Sequence, residues 1–180
     1  MDLENVDKIT AGAVGEPGGR TFFIQAREGD RTITITVEKE QVELLASSIL
    51  EILATIDLET GDGPADDALE LEPPLEPLWR AGRLSIGYAE ARARRVLELE
   101  ELLPEPDEED EEGTGGAALL DAPEPGRVRL WATREQMFAL SRFGAAVAAR
   151  GRPRCQYCGN PLEPDGHVCP AMNGHRPSGA

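Results

Sequence analysis

Four side chains near the end of this sequence have the types and spacing of a metal site. Cys155 and Cys158 form a C-x-x-C motif, and Gly159 directly after it lets the backbone turn so that both thiolates face one point. His167 and Cys169 add an imidazole and a third thiolate after a Pro-Asp-Gly sequence that is typical of a turn. The sequence therefore predicts a metal site with the ligands Cys155, Cys158, His167 and Cys169.

The chemistry of this ligand set favours a structural zinc ion. Thiolates and imidazole suit Zn²⁺, and four protein ligands leave no open position for water. His175 lies close enough in sequence to replace His167 or to support a ligand through a hydrogen bond. Two weaker interpretations remain: reduced cysteines that are merely packed, and a redox pair. The first lacks an apolar partner surface and the second usually opens a helix, which Pro153 and Gly159 disfavour.

Three arginines lead into this motif and are candidate anion contacts. Arg150, Arg152 and Arg154 belong to a locally basic region, because residues 126–180 contain eight Arg against three carboxylates, formally +5. Basic residues beside a zinc site are common in nucleic-acid binders. Alternatively, these arginines are solvated or pair with carboxylates of residues 1–125. That part of the chain carries a formal charge of −21, which together with +5 gives the net charge of −16.

Candidate catalytic groups are few outside this region. Both histidines and all three cysteines lie between residues 155 and 175, so the rest of the chain has no Cys-His or Ser-His pair. Carboxylates such as Glu90, Glu98 and Glu100 have the spacing of an ordinary solvated strand face. The glycine-rich stretch at residues 15–20 precedes strand-like residues rather than a helix, which favours a hairpin turn over a phosphate loop.

Composition indicates a cytoplasmic protein with one ordinary domain. The chain has 180 residues, of which 40% are hydrophobic and 4% aromatic, enough for a core built mainly from aliphatic side chains. Three clustered cysteines suit a reducing compartment. The first ten residues lack the apolar stretch of a signal peptide, and no apolar run approaches the roughly 20 residues that cross a bilayer. We therefore expect no membrane partner.

The pattern of apolar residues predicts an α+β domain over residues 1–150, followed by a zinc knuckle tail over residues 151–180. Helices are expected at about 39–56 and at 133–151, where Thr133 and Gln136 can form a capping box. The acidic stretches 57–77 and 104–122 are predicted to be flexible loops. Strands are expected at residues 9–14, 21–26, 32–37, 83–91, 95–103 and 127–132.

A weak internal repeat relates the two predicted halves. Residues 33–45 and 128–140 share apolar strand positions followed by a charged residue, Glu and Gln at the start of a helix, at a constant offset of 95. This predicts two β-β-β-α halves that form one pseudo-symmetric domain. The alternative is that any strand-to-helix junction favours such residues.

Several strings of the sequence resemble a known bacterial family. These are AVGEPGGRTFFIQA at residues 13–26, VEKEQ at 37–41, and the terminal pattern G-R-P-x-C-x-x-C-x-x-P-L-x-P-x-G-H-x-C at 151–169. They are similar to the domain-of-unknown-function 3090 family, and the resemblance covers nearly the whole chain. The family implies no activity. An aromatic residue often stands at the position of His175 in its members, and this implies His167 as the ligand.

These observations lead to one expected function and two alternatives. The leading expectation is a cytoplasmic, non-enzymatic protein with structural zinc that acts as a protein-binding or adaptor module. The first alternative is a nucleic-acid-associated factor that uses the Arg-rich zinc knuckle. The second is an enzyme of unknown reaction that uses carboxylates.

Overall fold

Seven β-strands and two α-helices form the described part of the protein. A computed structural model describes residues 1–55, 61–89, 94–104, 124–162 and 167–172. This is a mixed α+β fold, as the sequence predicts. Its elements are β1 (Asp2–Leu3), β2 (Lys8–Val14), β3 (Thr21–Glu28), β4 (Arg31–Val37), α1 (Lys39–Ala54), β5 (Pro77–Ala89), β6 (Arg94–Glu101), β7 (Arg127–Ala132) and α2 (Arg134–Ala149).

Every predicted strand and helix is present in the structure, with differences at the ends. The strand predicted to start at residue 83 starts at Pro77, so part of the predicted acidic loop pairs in the sheet. The strand predicted to end at residue 103 ends at Glu101, and the second helix ends at Ala149 rather than Gly151. The short strand β1 has no counterpart among the predictions. Ile56, Glu90 and Ala91 lie outside the described residues.

The strands form a single sheet in the order β1-β7-β6-β5-β4-β3-β2. All neighbours are antiparallel except β1 with β7 and β4 with β5. Ile24 on β3 lies opposite Ile35 on β4, and both are fully buried under the helices. Successive side chains of a strand point to opposite faces, so Gln25 and Thr34 lie on the other face, where both are also buried.

The sheet curls until its two ends meet. Only the four residues 4–7 connect β1 to β2, and the five Cα–Cα steps from Leu3 to Lys8 reach about 18 Å at most. In a flat sheet these two strands would be about 29 Å apart, at about 4.8 Å per neighbour. The hydrogen bonds show the closure directly, since Val6 N donates to Trp131 O on β7 and Asp7 N donates to Arg27 O on β3. The N-terminal residues thus join the two edges of the sheet.

Both helices pack against the same face of the curled sheet and against each other. α1 buries the face that contains Val42, Leu45, Ile49 and Leu53, as its periodicity predicts. α2 carries Gly144 at the crossing, where an added Cβ would lie 3.3 Å from Val42 Cγ1. The absence of a side chain at this position therefore permits the close approach of the helices.

The described part of the acidic segment, residues 61–76, is attached to the domain. Leu69 is 1% exposed and belongs to the core, so this segment contributes one apolar side chain to the interior of the domain. Thr10 Oγ1 donates to Leu69 O, and Gln25 Nε2 donates to Glu72 O at 2.8 Å. The segment reaches across β2 to the second face of the sheet and covers Gln25. Residues 57–60 and 105–122 of the predicted flexible loops lie outside the described residues.

The two helix starts make matching hydrogen bonds. Gln41 Oε1 accepts from Glu38 N at 2.8 Å, and its Nε2 donates to Ala81 O at 3.1 Å. Gln136, 95 residues later, accepts from Thr133 N at 2.8 Å and donates to Val6 O at 2.7 Å. Each glutamine therefore caps its own helix and also donates a hydrogen bond to the backbone of the sheet region. Gln41 bonds to β5, and Gln136 bonds to the connection between β1 and β2.

A further contact lies between the helices at the same sequence offset. Ser141 Oγ donates to Ala46 O at 2.8 Å, and these residues are 95 positions apart. Contacts between equivalent positions are expected where a two-fold axis relates two copies. The pseudo-symmetry of the two halves nevertheless stays a prediction.

Candidate metal centre

The metal segment, defined here as residues 151–172, begins directly after α2 and folds back on itself. Cys155 N donates to Asn160 O, and Gly159 N donates to Cys155 O, each at 2.8 Å. Gly159 has φ +75°, a left-handed conformation that residues with a Cβ adopt at a cost. These two bonds and the glycine close the C-x-x-C turn, so the turn predicted from the sequence is present.

A short antiparallel bridge fixes the base of this turn. Arg154 and Pro161 are bridge partners, and Leu162 N donates to Pro153 O at 2.7 Å. Both ends of the loop are thereby held together by backbone hydrogen bonds. The side chains of Cys155 and Cys158 consequently point to the same side, toward the returning chain at His167.

The four predicted ligands converge. The Sγ atoms of Cys155, Cys158 and Cys169 and a ring nitrogen of His167 all lie within 4.8 Å of one another. Cys155 Sγ and Cys169 Sγ are 3.8 Å apart, and Cys158 Sγ and His167 Nε2 are 3.1 Å apart. Two sulfurs bound tetrahedrally to zinc at about 2.3 Å would lie about 3.8 Å from each other. The cluster therefore has the dimensions of a metal-binding site.

Burial and ring orientation fit a coordinating role. Cys155 and Cys169 are 4% and 0% exposed, although the apolar core cluster includes neither of them. His167 directs Nε2 at the Cys158 sulfur, while its Nδ1 is buried without a hydrogen-bond partner among the described residues. A ring turned in this way presents Nε2 to an ion shared with the thiolates.

The pKa values of the Cys155 and Cys158 thiols are shifted in opposite directions by their surroundings. Burial raises the pKa of the Cys155 thiol. The backbone N–H groups of Cys158 and Tyr157 and the neighbouring thiols lower this pKa by a larger amount, so it ends below its ordinary value. At Cys158 the N–H of Asn160 lowers the pKa, whereas burial and the other two thiols raise it above the ordinary value. Backbone donors thus already stabilise one thiolate, and a bound cation would stabilise the others.

This cluster is distinctive within the described residues. Across residues 1–55, 61–89, 94–104, 124–162 and 167–172, it is the one group of three or more His, Cys, Asp or Glu side chains close enough to share an ion. The donors are three soft sulfurs and one imidazole, so they suit Zn²⁺ better than Mg²⁺ or Ca²⁺, which prefer oxygen. His175 and the Pro-Asp-Gly turn at residues 164–166 lie outside the described residues.

The three predicted anion contacts lie at the junction of the metal segment with the domain. The Arg150 guanidinium lies 5.9 Å from the centroid of the Phe143 ring. Arg154 Nη1 donates to Gly159 O at 3.3 Å. The Arg152 side chain passes over Gly18, where an added Cβ would lie 3.2 Å from its Cζ and Nε. No ion pair joins Arg150 or Arg154 to a carboxylate within the described part of the chain.

A cavity of about 490 Å³ lies beside Arg152 and Arg154, and no local pattern in the sequence predicts it. Its charged lining comes from three separate parts of the chain. The glycine-rich turn, a hairpin turn between β2 and β3 as predicted, contributes Gly18 and is followed by Arg20. We call this the basic cavity, and its charged residues are Arg20, Lys39, Glu43, Arg152 and Arg154.

The carboxylates considered for catalysis are engaged in ion pairs where the structure describes them. Glu98 lies 2.6 Å from Arg129 Nε, and Glu100 lies 3.3 Å from Arg127 Nη2. The hydrogen bond from Arg129 lowers the pKa of Glu98 below its ordinary value, opposed by burial. A carboxylate held ionised in this way is unsuited to act as a general acid near neutral pH. Glu90 lies outside the described residues.

The fold and the site together define a mixed α+β protein with a seven-stranded sheet, two helices and a C-terminal Cys₃His cluster. Its family follows from comparison with known proteins. The family model described as "Protein of unknown function (DUF3090)" matches residues 1–169, nearly the whole chain, and the protein belongs to this family. No curated protein and no solved structure shows significant similarity to the chain. None of the helices in the described residues has the length and apolar character required to cross a membrane.

Proposed function

We propose that this is a zinc-binding protein whose ion is structural and whose role is to bind another protein, as an adaptor rather than as an enzyme. The convergence of Cys155, Cys158, His167 and Cys169 within 4.8 Å carries this proposal. Four protein ligands complete a tetrahedral coordination shell, which leaves no position for water or substrate. The ion would then hold the chain in shape and take no part in a reaction.

The surroundings of the cluster support a structural role. The described apolar residues near it are few, and Tyr157 and Val168 are 56% and 60% exposed. A segment with so little core needs another source of stability, and structural zinc supplies about 10 to 16 kcal/mol of apparent binding free energy in small peptides. We place the protein in the cytoplasm, where thiolates remain reduced and available to zinc.

The decisive experiment measures zinc per chain in Cys155→Ser and in the matched control Tyr157→Ser. Both changes lie in the same turn, but only the first removes a ligand, so we expect one equivalent of zinc in wild type and control and far less in Cys155→Ser. Limited trypsin digestion of the same samples should cut after Arg154 faster in Cys155→Ser. Full zinc content in that variant would refute the assignment of the ligands.

A protein partner is supported by the contrast of charge along the chain. The chain has a net charge of −16 but a basic region at residues 126–180, so regions of opposite charge are available to a partner. Affinity capture from native lysate, repeated with Cys155→Ser, tests this role. Proteins retained by wild type and lost with the variant would support it, and an identical set on both would contradict a role for the metal segment.

Nucleic-acid binding is the second candidate function. It is favoured by the absence of ion pairs from Arg150 and Arg154 to carboxylates in the described residues, despite the acidic composition. Phosphate contacts of this kind make affinity fall steeply with salt. Titration of a single-stranded oligonucleotide at two salt concentrations, with Arg150→Gln and Arg154→Gln as variants, distinguishes it from the adaptor role.

A further inference from the structure

The basic cavity concentrates positive charge in an acidic protein. Four of its lining residues are cations and one is a carboxylate, formally +3, in a chain whose net charge is −16. Lys39 pairs with Glu43 at 3.0 Å, and no carboxylate among the described residues pairs with Arg20 or Arg154, so these two arginines supply positive charge that is not balanced. Unbalanced positive charge that lines a concave surface attracts anions.

Arg20 and Arg154 are held in place by neutral groups. Arg20 Nη1 donates to Val147 O at 3.2 Å, and its guanidinium lies 5.1 Å from the centroid of the Phe22 ring. Arg154 donates to Gly159 O at 3.3 Å. Within the described residues neither of them pairs with a carboxylate. A guanidinium has five N–H donors, so one bond to a carbonyl leaves donors for a second acceptor.

The metal segment folds back over the domain and supplies one side of the cavity. Arg152 lies against Gly18 of the β2–β3 turn. A Cβ added at Gly151 would lie 3.6 Å from Arg20 Nη2. Gly18 has φ +106°, so this position requires glycine both for its backbone and for the space that Arg152 fills. Arg152, Arg154 and Pro161 of the metal segment thus complete a lining that begins on β3 and α1.

We propose that the basic cavity binds a small phosphorylated anion, with Arg20, Arg152 and Arg154 as contacts, and that the metal completes this site. Guanidinium groups match phosphate oxygens in geometry and charge. A volume of about 490 Å³ suits a small molecule larger than a single phosphate ion, so a pyrophosphate group, free or carried by a nucleoside, fits the site. The inference rests on the proposed structural role of the metal, since two of the three arginines belong to the metal segment.

The test is a calorimetric titration of inorganic pyrophosphate into the full-length, zinc-loaded protein, with zinc measured before and after. We expect one pyrophosphate per chain and about tenfold weaker binding for each of Arg20→Gln and Arg154→Gln, since a hydrogen bond to a charged group contributes about that factor. Glu43→Gln removes the carboxylate from the lining and should strengthen binding. A parallel titration with ADP assigns the nucleoside if ADP binds more tightly, and the free anion if it does not.

Arg31→Gln is the matched control. It removes the same charge from the opposite end of the β3–β4 hairpin, where Arg31 pairs with Glu28, whereas Phe22 of the cavity pairs with Val37 at the other end. Equal weakening in Arg31→Gln would show diffuse attraction and overturn the proposal. Absence of pyrophosphate binding, or oligonucleotide binding without it, would also overturn it. Arg20→Gln also removes a hydrogen bond to the end of α2 and could weaken binding through the fold. Arg154→Gln leaves this hydrogen bond intact, so it tests the contribution of arginine to pyrophosphate binding separately.

Removal of zinc separates the two proposals. If the metal completes the site, chelation should weaken pyrophosphate binding at least about tenfold, because Arg152 and Arg154 lose their positions. A protein that carries no zinc at all would contradict the structural metal, while the Arg20→Gln titration would still test the cavity. Zinc present without pyrophosphate binding would contradict the cavity alone.

Discussion

The main domain, residues 1–150, and the metal segment bury their side chains by different means. Ile35 and Leu97 in the domain are fully buried among many other aliphatic side chains. Cys169 in the metal segment is equally buried, but it lies against Cys155 rather than in the apolar cluster. The domain can therefore depend on the hydrophobic effect, whereas the segment has little apolar core, and under the proposed function four ligand atoms that share one ion stabilise it instead. On that proposal the chain combines a domain stabilised by its core with a segment stabilised by a bound ion.

Removal of the metal should have the largest effect, and it should be confined to the metal segment. With the ion absent, three thiols and an imidazole no longer have a common partner, and about 10 to 16 kcal/mol of apparent binding free energy is lost. Hydrogen exchange should show loss of amide protection in residues 151–162 and unchanged protection in α2 and the sheet. Loss of protection throughout the domain would contradict the separation of the two regions.

Leu97→Ala should produce the next largest effect, in the opposite region. Leu97 is fully buried on β6, so its truncation should cost about 2 to 5 kcal/mol of domain stability. Urea denaturation of the zinc-loaded protein measures the loss, and zinc per chain should stay at one equivalent. Leu102→Ala, which truncates a leucine that is 53% exposed, is the control and should cost little. Loss of zinc in Leu97→Ala under native conditions would show that the regions are coupled.

Thr133→Ala should weaken the domain by a smaller amount. Thr133 Oγ1 accepts from Gln136 N at 3.2 Å at the start of α2, and loss of such a cap costs about 1 kcal/mol. Thermal unfolding followed by circular dichroism measures this change. An exposed position near the other end of the same helix, Ala145→Ser, provides a control that removes no cap. An unchanged melting temperature in Thr133→Ala would show that this bond contributes nothing to stability.

Glu98→Gln should have the smallest effect, and it should depend on pH. Because Arg129 lowers the pKa of Glu98 in the folded state below the ordinary 4.5, the carboxylate stabilises the fold above that value. The stabilisation is lost as pH falls through the lowered pKa. The difference in unfolding free energy between wild type and variant should thus be present at pH 7 and shrink below about pH 4. A difference that grows with acidity would refute the assignment.

The clustering of Cys155, Cys158, His167 and Cys169 could be predicted because their spacing is local. Cys155 and Cys158 need only one turn to face each other, and Gly159 signals that turn. The main strands and helices were predictable for the same reason, since Ile33 and Ile35 alternate and α1 repeats its apolar residues every three or four positions. Local patterns of this kind survive in the final fold.

Contacts between distant parts of the chain could not be predicted in this way. β1 has only two residues, and it forms a strand only because it pairs with Arg129 and Leu130 of β7, far along the chain. The burial of Leu69 could not be predicted, because the Asp, Glu, Gly and Pro residues around it are typical of a loop. The basic cavity combines Arg20 with Arg152, and only the curled sheet and the returning metal segment bring these residues together.

The most direct test of the central claim is X-ray absorption at the zinc edge of the purified protein. We predict one zinc per chain, with three sulfur ligands at about 2.3 Å and one nitrogen ligand at about 2.0 to 2.1 Å. A coordination shell rich in oxygen, or with fewer than three sulfurs, would contradict the assignment of Cys155, Cys158, His167 and Cys169 as the ligands.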